Sequence, residues 1–411
     1  MRYVRRRVDV PDKAALRALG AREGWLLESP DALRVGFGSP TLSIALGKGL
    51  DQKSRASAAL RDVDLEGDAG PSGSGIVAFA TLPFDRLTAG QLHVPRYVMT
   101  IVRAEAWISA LEGDEGWVAL LNDVAEVVQE PQSLRSLTLQ PTPEQYAHHV
   151  AQAVELLRRK EIDKVVLARA VLGSVTEEID PAALVARLRV REPICTLYSL
   201  PTEDGRRFVG ASPELLVRRD GVVVQCHPLA GTISLPANVA PDDYQNWLLG
   251  STKNLHEHGV LVDEVVRNLS RVYDDIVADA QPSIVTLRTV AHLGTWITAT
   301  SHEAHPPDAL DVLRLLHPTA AVGGIPRERA DELRRELEVQ DRGHYGGPLG
   351  WIDANGDGEW WIGIRGVLVD GVNFEAWAGA GIVSESDPIA EREETRDKLQ
   401  SVLSSLLLER F

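Results

Sequence analysis

The chain has 411 residues, 44% hydrophobic and 25% charged, with a formal net charge of −16. This is the composition of a globular protein long enough to bury a large core, and its acidic balance excludes nucleic acid as a main partner, since phosphate binding needs a basic face. The two cysteines, Cys195 and Cys226, lie in strand-like text and exclude a disulfide framework.

The first stretch, MRYVRRRVDV, is basic but lacks the apolar run of a secretory signal. No later stretch approaches the roughly eighteen apolar residues of a membrane span, so a cytoplasmic protein without a membrane partner is expected. Through residue 135, short strand-like runs (TLSIALG, GIVAFATLPF, YVMTIVR) are broken by Gly, Pro and Asp. The segment Glu66 to Gly75, EGDAGPSGSG, reads as an exposed turn or mobile loop. Its glycines are no dinucleotide fingerprint, because a strand follows them and not a helix. No repeat, low-complexity segment or inter-domain linker is visible.

At Pro141 the texture changes. Thr142, Pro143 and Gln145 predict a capping box with proline at the first helical position, and Tyr146, Val150, Val154 and Leu157 recur at helical spacing. Strands are then expected at KVVLARAV, beginning with Lys164, and at RFVGAS, ELLVRR and VVVQCHPLAGTI. A helix from about Lys253 to Val272 precedes VAHLGTWITAT, and more helix is expected between about Pro307 and Leu337. GPLGWID, EWWIGIRGVLV and FEAWAGAGIV complete the strands. Mixing without strict alternation predicts a large α+β domain rather than a doubly wound parallel sheet.

The last helix begins at Asp387, an N-cap, with Pro388 at the first position. Glu391 and Glu394, three apart, border the apolar stripe of Leu399, Val402, Leu403 and Leu406; the ordinary reading is that they complement the helix dipole. Glu257 continues the apolar stripe of Leu261, Val265, Leu269 and Val272, and a carboxylate there must be paired, protonated or metal-bound. Structural ion pair and ligand stay equally open. His256 and His258 point about 200° apart on a helix, so they cannot share one zinc. Asp353 to Gly358 matches the opening of a calcium loop, but Ile364 occupies the position of the bidentate Glu and the flanks are strands; a hairpin turn is expected. Lys164 and Glu214, each at a strand entry, are ordinary solvated residues when taken alone. Arg365, within WIGIRGVLV, reads as buried in a strand and in need of an anion, for which a carboxylate taken bidentately is the natural partner.

In order, the motifs KVVLAR, FVGASPELL, HPLAGTI, KNLHEHGVLVDEV, HLGT, LHPTAAVGGIP, RGHYGGPLGW, IGIR and AGAGIV with the following P, E, EET and K resemble those of the chorismate-utilising enzymes. These comprise isochorismate and salicylate synthases and the component I subunits of anthranilate and aminodeoxychorismate synthases. The resemblance implies one α+β domain with mixed, mostly antiparallel sheets. Residues 139–408 would be its catalytic region, and 1–135 a strand-rich part of the same fold that matches loosely. It implies Mg²⁺ held by Glu257 and Glu394, with Glu391 beside them. Arg365 and Lys398 would hold a carboxylate of chorismate, with Tyr345 hydrogen-bonded to substrate. Gly231 and Gly379 would let backbone N–H groups approach the ligand, and Thr232, His292 and Thr295 would line the pocket.

Lys164 resembles the general base of the branches that add water at C2, with Glu214 as the acid that protonates the departing C4 hydroxyl. Each role needs a shifted pKa: a lysine below its usual value of about 10.4, and a glutamate above about 4.3. The expectation is a monomeric, Mg²⁺-dependent isochorismate synthase without a glutamine amidotransferase subunit, serving menaquinone or siderophore synthesis. Salicylate synthase is the rival enzyme, and a binding module that has lost catalysis the rival of another class. Two departures stand out. Asn254 replaces an acidic residue of several relatives, and GWLLESP resembles the LLES stretch of anthranilate synthases, against which Lys164 argues.

Overall fold

The computed structural model describes residues 1–50, 56–128, 130–235 and 241–407; Leu408, the expected end of the catalytic region, lies outside them. Among the described residues, thirteen strands form one sheet, nine a second and three a small third. The first sheet runs from Leu134–Gln140 through Lys164–Val175, Asn373–Ile382, Gly366–Asp370, Arg207–Ser212 and Thr196–Pro201. It then continues into the N-terminal strands Trp25–Glu28, Ala32–Phe37, Tyr97–Val102, Glu105–Leu111 and Arg2–Val8. The second sheet is mixed in origin too, with Pro348–Asp353 pairing Val77–Thr81. Pairing is antiparallel except between Arg2–Val8 and Asp64–Gly67. The α+β fold with mostly antiparallel sheets is therefore as expected.

Both faces of each sheet are covered. Between the sheets lies an aromatic core in which Trp25, Tyr198 and Phe208 of the first meet Phe79, Trp351 and Trp361 of the second. Helices Pro181–Arg191 and Pro388–Leu406 cover the outer face of the first sheet, and Thr252–Leu269 and Ala309–Leu316 that of the second. Burial on both faces explains why Lys164–Val175 is buried along its first eight residues rather than alternately.

Local chemistry sets the helix starts. Thr142 and Gln145 make the reciprocal capping box of helix Pro143–Arg158, and the Asp387 carboxylate accepts the N–H groups of Ile389 and Ala390. Helix Thr252–Leu269 is capped by Ser251 and stops short of Val272, which still packs against the same core. His258 is buried on this helix and His256 exposed, as their spacing requires. Helices Lys13–Glu23, Pro181–Arg191 and Pro241–Gly250 are additional to those expected, the first two capped by Asp12 and Asp180. The helical text after Pro307 divides into Ala309–Leu316 and Arg327–Leu337 around the two-residue strand Gly324–Ile325.

Two loops deserve correction or closure. The Gly-rich loop is not exposed throughout: Gly73 and Ser74 are buried, and the Gly73 N–H donates to Asp353 at 3.1 Å. Asp353–Gly358 is a hairpin turn whose acids are already used. Asp353 accepts the N–H groups of Asn355 and Asp357, and Asp357 pairs with Arg219 at 2.6 Å. No helix among the described residues is long and apolar enough to cross a membrane.

The feature that positions the site is a double crossing. The chain leaves the first sheet at Ser212 and enters the second at Leu215; it returns from Ile362 to Gly366. The crossings are stitched together by Ala211 N–H to Arg365 O (3.1 Å), Ile362 N–H to Glu214 O (3.1 Å) and the Ser212 hydroxyl to Ile362 O (2.6 Å). Arg365 is thus not within a strand, as expected, but at the bend between two, with φ of +55°.

Because Asp387 satisfies two N–H groups at the start of the helix bearing Glu391 and Glu394, Asp387→Ala should cost about 1 kcal/mol of stability. A urea-denaturation midpoint would show it, and Asp387→Asn, which keeps an acceptor, should avoid most of the loss.

Candidate active site

Three glutamates and three lysines meet where the crossings, the helix Thr252–Leu269 and the C-terminal helix converge. Lys164, fully buried at the start of its strand, places Nζ 3.1 Å from Glu257 Oε1. Lys398 donates to Glu394 one turn earlier on the same helix at 2.6 Å, and to the Gly379 carbonyl at 2.9 Å. Lys253, in the first turn of the helix bearing Glu257, is ion-paired to Glu391. Each glutamate therefore faces its own lysine. Among the described residues no three His, Cys, Asp or Glu side chains are grouped closely enough to hold a metal ion as they stand.

The acids differ in environment. Glu391 is 1% exposed; burial and the neighbouring Glu394 push its carboxyl up to about 7, against the pull of Lys253 and Ser386. Its Oε2 is buried with no hydrogen-bond partner among the described residues. Burial would raise Glu394 too, but Lys398, Lys253 and the Thr232 hydroxyl hold it below the usual carboxylate range. Glu214, at the crossing, accepts the Leu229 N–H at 3.4 Å. Burial pushes its carboxyl up to about 8, outweighing that hydrogen bond and the charges of Lys164 and Lys398. At neutral pH Glu214 keeps its proton, as a general acid must.

Arg365 donates to the Ser401 hydroxyl at 3.1 Å and to His292 Nε2 at 2.9 Å. Burial, reinforced by Arg365 and Lys398, keeps His292 neutral. A guanidinium can only donate, so Nε2 is the acceptor and the ring proton sits on Nδ1, 3.0 Å from Thr232 Oγ1. The Thr232 hydroxyl also helps to lower the Glu394 carboxyl. The hydrogen bonds thus run in one direction from Arg365 through His292 to Thr232. Among the described residues Arg365 has no carboxylate within ion-pair distance, and its guanidinium is met by Ser401 and His292 instead. Tyr345 stacks on Trp377 at 5.8 Å, and burial raises its phenol to about 12.

A cavity is walled by Glu214, Thr232, Glu257, His292, Tyr345, Arg365, Gly379, Gly381 and Lys398. Lys164 stands just behind Glu257 and Gly381, while Gly231, Thr295, Glu391 and Glu394 lie off the wall. Thr295 is turned to His258 Nε2 at 2.7 Å. Gly231 has φ of +71° at a bulge, and a Cβ there would meet the Asn254 carbonyl at 2.9 Å. Helix packing and the positive φ by themselves demand glycine there. At Gly379 a Cβ would meet the Tyr345 hydroxyl at 3.1 Å. The tightest position is Gly381, where a Cβ would lie 2.1 Å from Glu257 Oε1 and 2.9 Å from Lys164 Cε. Gly381, Lys253 and Trp377 were not foreseen. The two glycines of AGAGIV share one strand face, which is a readable signal for Gly381. Lys253 has only a faint one, a cation at the positive end of a helix.

The family model for chorismate binding enzymes matches residues 51–407. The vibriobactin-specific isochorismate synthase of Vibrio cholerae is 34% identical over 336 residues, covering 80% of this chain and 79% of the relative. Isochorismate synthase EntC of Escherichia coli K12 is 33% identical over 331 residues, 80% of each chain. The structure of MenF, the menaquinone-specific isochorismate synthase from Escherichia coli, superposes with a TM-score of 0.81 at 24% identity, over 98% of this chain and 94% of the other, a likeness of fold.

Gly381→Ala should displace Glu257 and separate it from Lys164, at a stability cost of about 1–3 kcal/mol by overpacking, measurable by thermal melting. Glu214 yields a pH signature. Its folded-state pKa of about 8 lies above the unfolded value, so its burden on stability is absent at pH 4, grows as pH rises and levels off above 8. Glu214→Gln should accordingly gain stability relative to the native protein between those limits, by up to about 1.4 kcal/mol per pH unit. A constant difference across that range would show that Glu214 is not held protonated.

Proposed function

The chain belongs to the chorismate-binding enzymes, and we propose on that premise that it is an isochorismate synthase, moving a hydroxyl from C4 of chorismate to C2 by addition and loss of water. The observation that carries this reading is the pairing of a buried, proton-holding acid with a buried amine: Glu214 at the cavity wall, its carboxyl raised to about 8, and Lys164 behind Glu257. In the proposed reaction the water oxygen bonds to C2 as Lys164 takes its proton. The ring double bonds shift, and the C4–O bond breaks as Glu214 protonates the departing hydroxyl. To act as base, Lys164 must be the neutral amine.

Arg365, bent into the cavity with no carboxylate of its own, and Tyr345 beside it would hold a substrate carboxylate. The one-directional hydrogen bonds through His292 and Thr232 would fix that guanidinium relative to Glu394. The donor set suits Mg²⁺: three carboxylates, of which Glu391 carries a buried oxygen with no hydrogen-bond partner among the described residues. Glu257 and Glu394 would hold the ion, with Glu391 in support. When bound, Mg²⁺ would supply positive charge that offsets the substrate's carboxylates. A lysine at position 164 supports water rather than ammonia as nucleophile, hence an enzyme that works without an amidotransferase partner. The names of the relatives point to both vibriobactin and menaquinone, and the proposed step serves either.

Purified protein incubated with chorismate and Mg²⁺ should form isochorismate to a partial equilibrium, lose activity in EDTA and ignore ammonium. Salicylate with pyruvate would move the assignment to salicylate synthase, and an aminated product would overturn Lys164 as the base for water. Lys164→Ala and Glu214→Ala should each lower kcat by at least about 100-fold with the fold retained, the usual worth of a general acid or base.

A further inference from the structure

The cavity's acids are balanced by lysines, and two of those lysines are committed. Lys164 is sealed at a strand end, and Lys398 is held by both Glu394 and the Gly379 carbonyl. Lys253 differs in three respects. Its side chain is 27% exposed, against 0% for Lys164 and 15% for Lys398. Among the hydrogen bonds of the described residues its ammonium has one partner, Glu391. It also lies in the first turn of a helix that carries no acid there, where the helix dipole opposes a cation.

Such a placement would be unfavourable without compensation. Although burial works against its charge, Glu391, Glu394 and Glu257 together stabilise the ammonium, so it feels all three acids. Only one oxygen of Glu391 is engaged by it; the other is buried with no hydrogen-bond partner among the described residues.

We infer that Lys253 is a built-in counter-ion that occupies the carboxylate cluster before the metal arrives and must swing to solvent for Mg²⁺ to be seated, so that it sets the metal affinity of the substrate-free enzyme. This rests on the proposed Mg²⁺ site. The physical reason is competition: a monovalent ammonium and a divalent ion cannot both be close neighbours of the same buried oxygens without repulsion in a poorly screened interior. Lys253 is the cation with a route to water. The device keeps the acids neutralised in the empty enzyme and makes tight metal binding wait for the negative charge of a dianionic substrate. Lys253 is a positioning residue in this scheme and takes no part in the proton transfers.

The test is calorimetric titration of the full chain with MgCl₂ alone, without chorismate, for wild type, Lys253→Met and Lys253→Gln. Thermal melts in EDTA and in Mg²⁺ accompany it. Removing the competing ammonium should tighten Mg²⁺ binding about tenfold. In EDTA both variants should melt lower than wild type, and Mg²⁺ should raise their melting temperatures by more than it raises that of wild type. Lys253→Gln serves if the methionine variant fails to fold. Variants that melt lower yet bind Mg²⁺ no more tightly than wild type would mean a merely structural ion pair and overturn the inference. Wild type that takes up no Mg²⁺ even with chorismate present would instead overturn the metal reading on which it rests.

Discussion

Three lysine–glutamate pairs, buried or half-buried, are the constraint around which the molecule is arranged. Two of them join different layers: Lys164 of the first sheet meets Glu257 of a helix over the second, and Lys253 of that helix meets Glu391 of the C-terminal helix, which carries the third pair, Glu394 and Lys398, within itself. An isolated buried charge is very unfavourable, whereas a paired one is tolerated, and removing one partner of a buried pair costs about 3–5 kcal/mol. The first two pairs therefore hold the layers in register as well as furnishing the chemistry. They also explain the glycine at 381, since any side chain there would occupy the space of the Lys164–Glu257 contact.

The second constraint is topological. Strands that run on within one sheet offer only their alternating faces, but a chain that passes between two packed sheets exposes its backbone and side chains at the seam. Glu214 and Arg365 both sit on such passages, joined by hydrogen bonds from one to the other. The seam is apolar enough to keep Glu214 protonated and polar enough to bend Arg365 inward. Two glutamates thus acquire opposite states. Glu214 faces hydrophobic surroundings, while Glu394 faces Lys398 and Thr232.

Directionality ties the two ends of the cavity together. Because a guanidinium cannot accept, Arg365 fixes the tautomer of His292, and His292 in turn donates to the Thr232 hydroxyl, which helps to lower the Glu394 carboxyl. The arrangement gives the Arg365 end and the acidic end one shared geometry. It depends on the neutrality of His292, which burial enforces.

Much of this was readable in the amino-acid sequence. The capping box at Thr142, the Asp387–Pro388 helix start, the opposed His256 and His258 and the Asp353 hairpin follow from local rules, because capping, periodicity and turn chemistry act over a few residues. Glu257 on an apolar stripe and Arg365 among apolar residues announced that each needed a partner. The identity of those partners could not be read, because Lys164 and Glu257 are joined only when a strand and a helix nearly a hundred residues apart pack together. The same holds for Arg365, whose bend at the seam looks in sequence like a continuous strand, and for Gly231, whose positive φ answers to Asn254 on a helix beyond it. Residue types and their local periodicity determined which groups would be buried and charged. Only the packing of two sheets and two helices decided which opposite charge each would face, since the energy of a buried charge is set by neighbours that the sequence keeps apart.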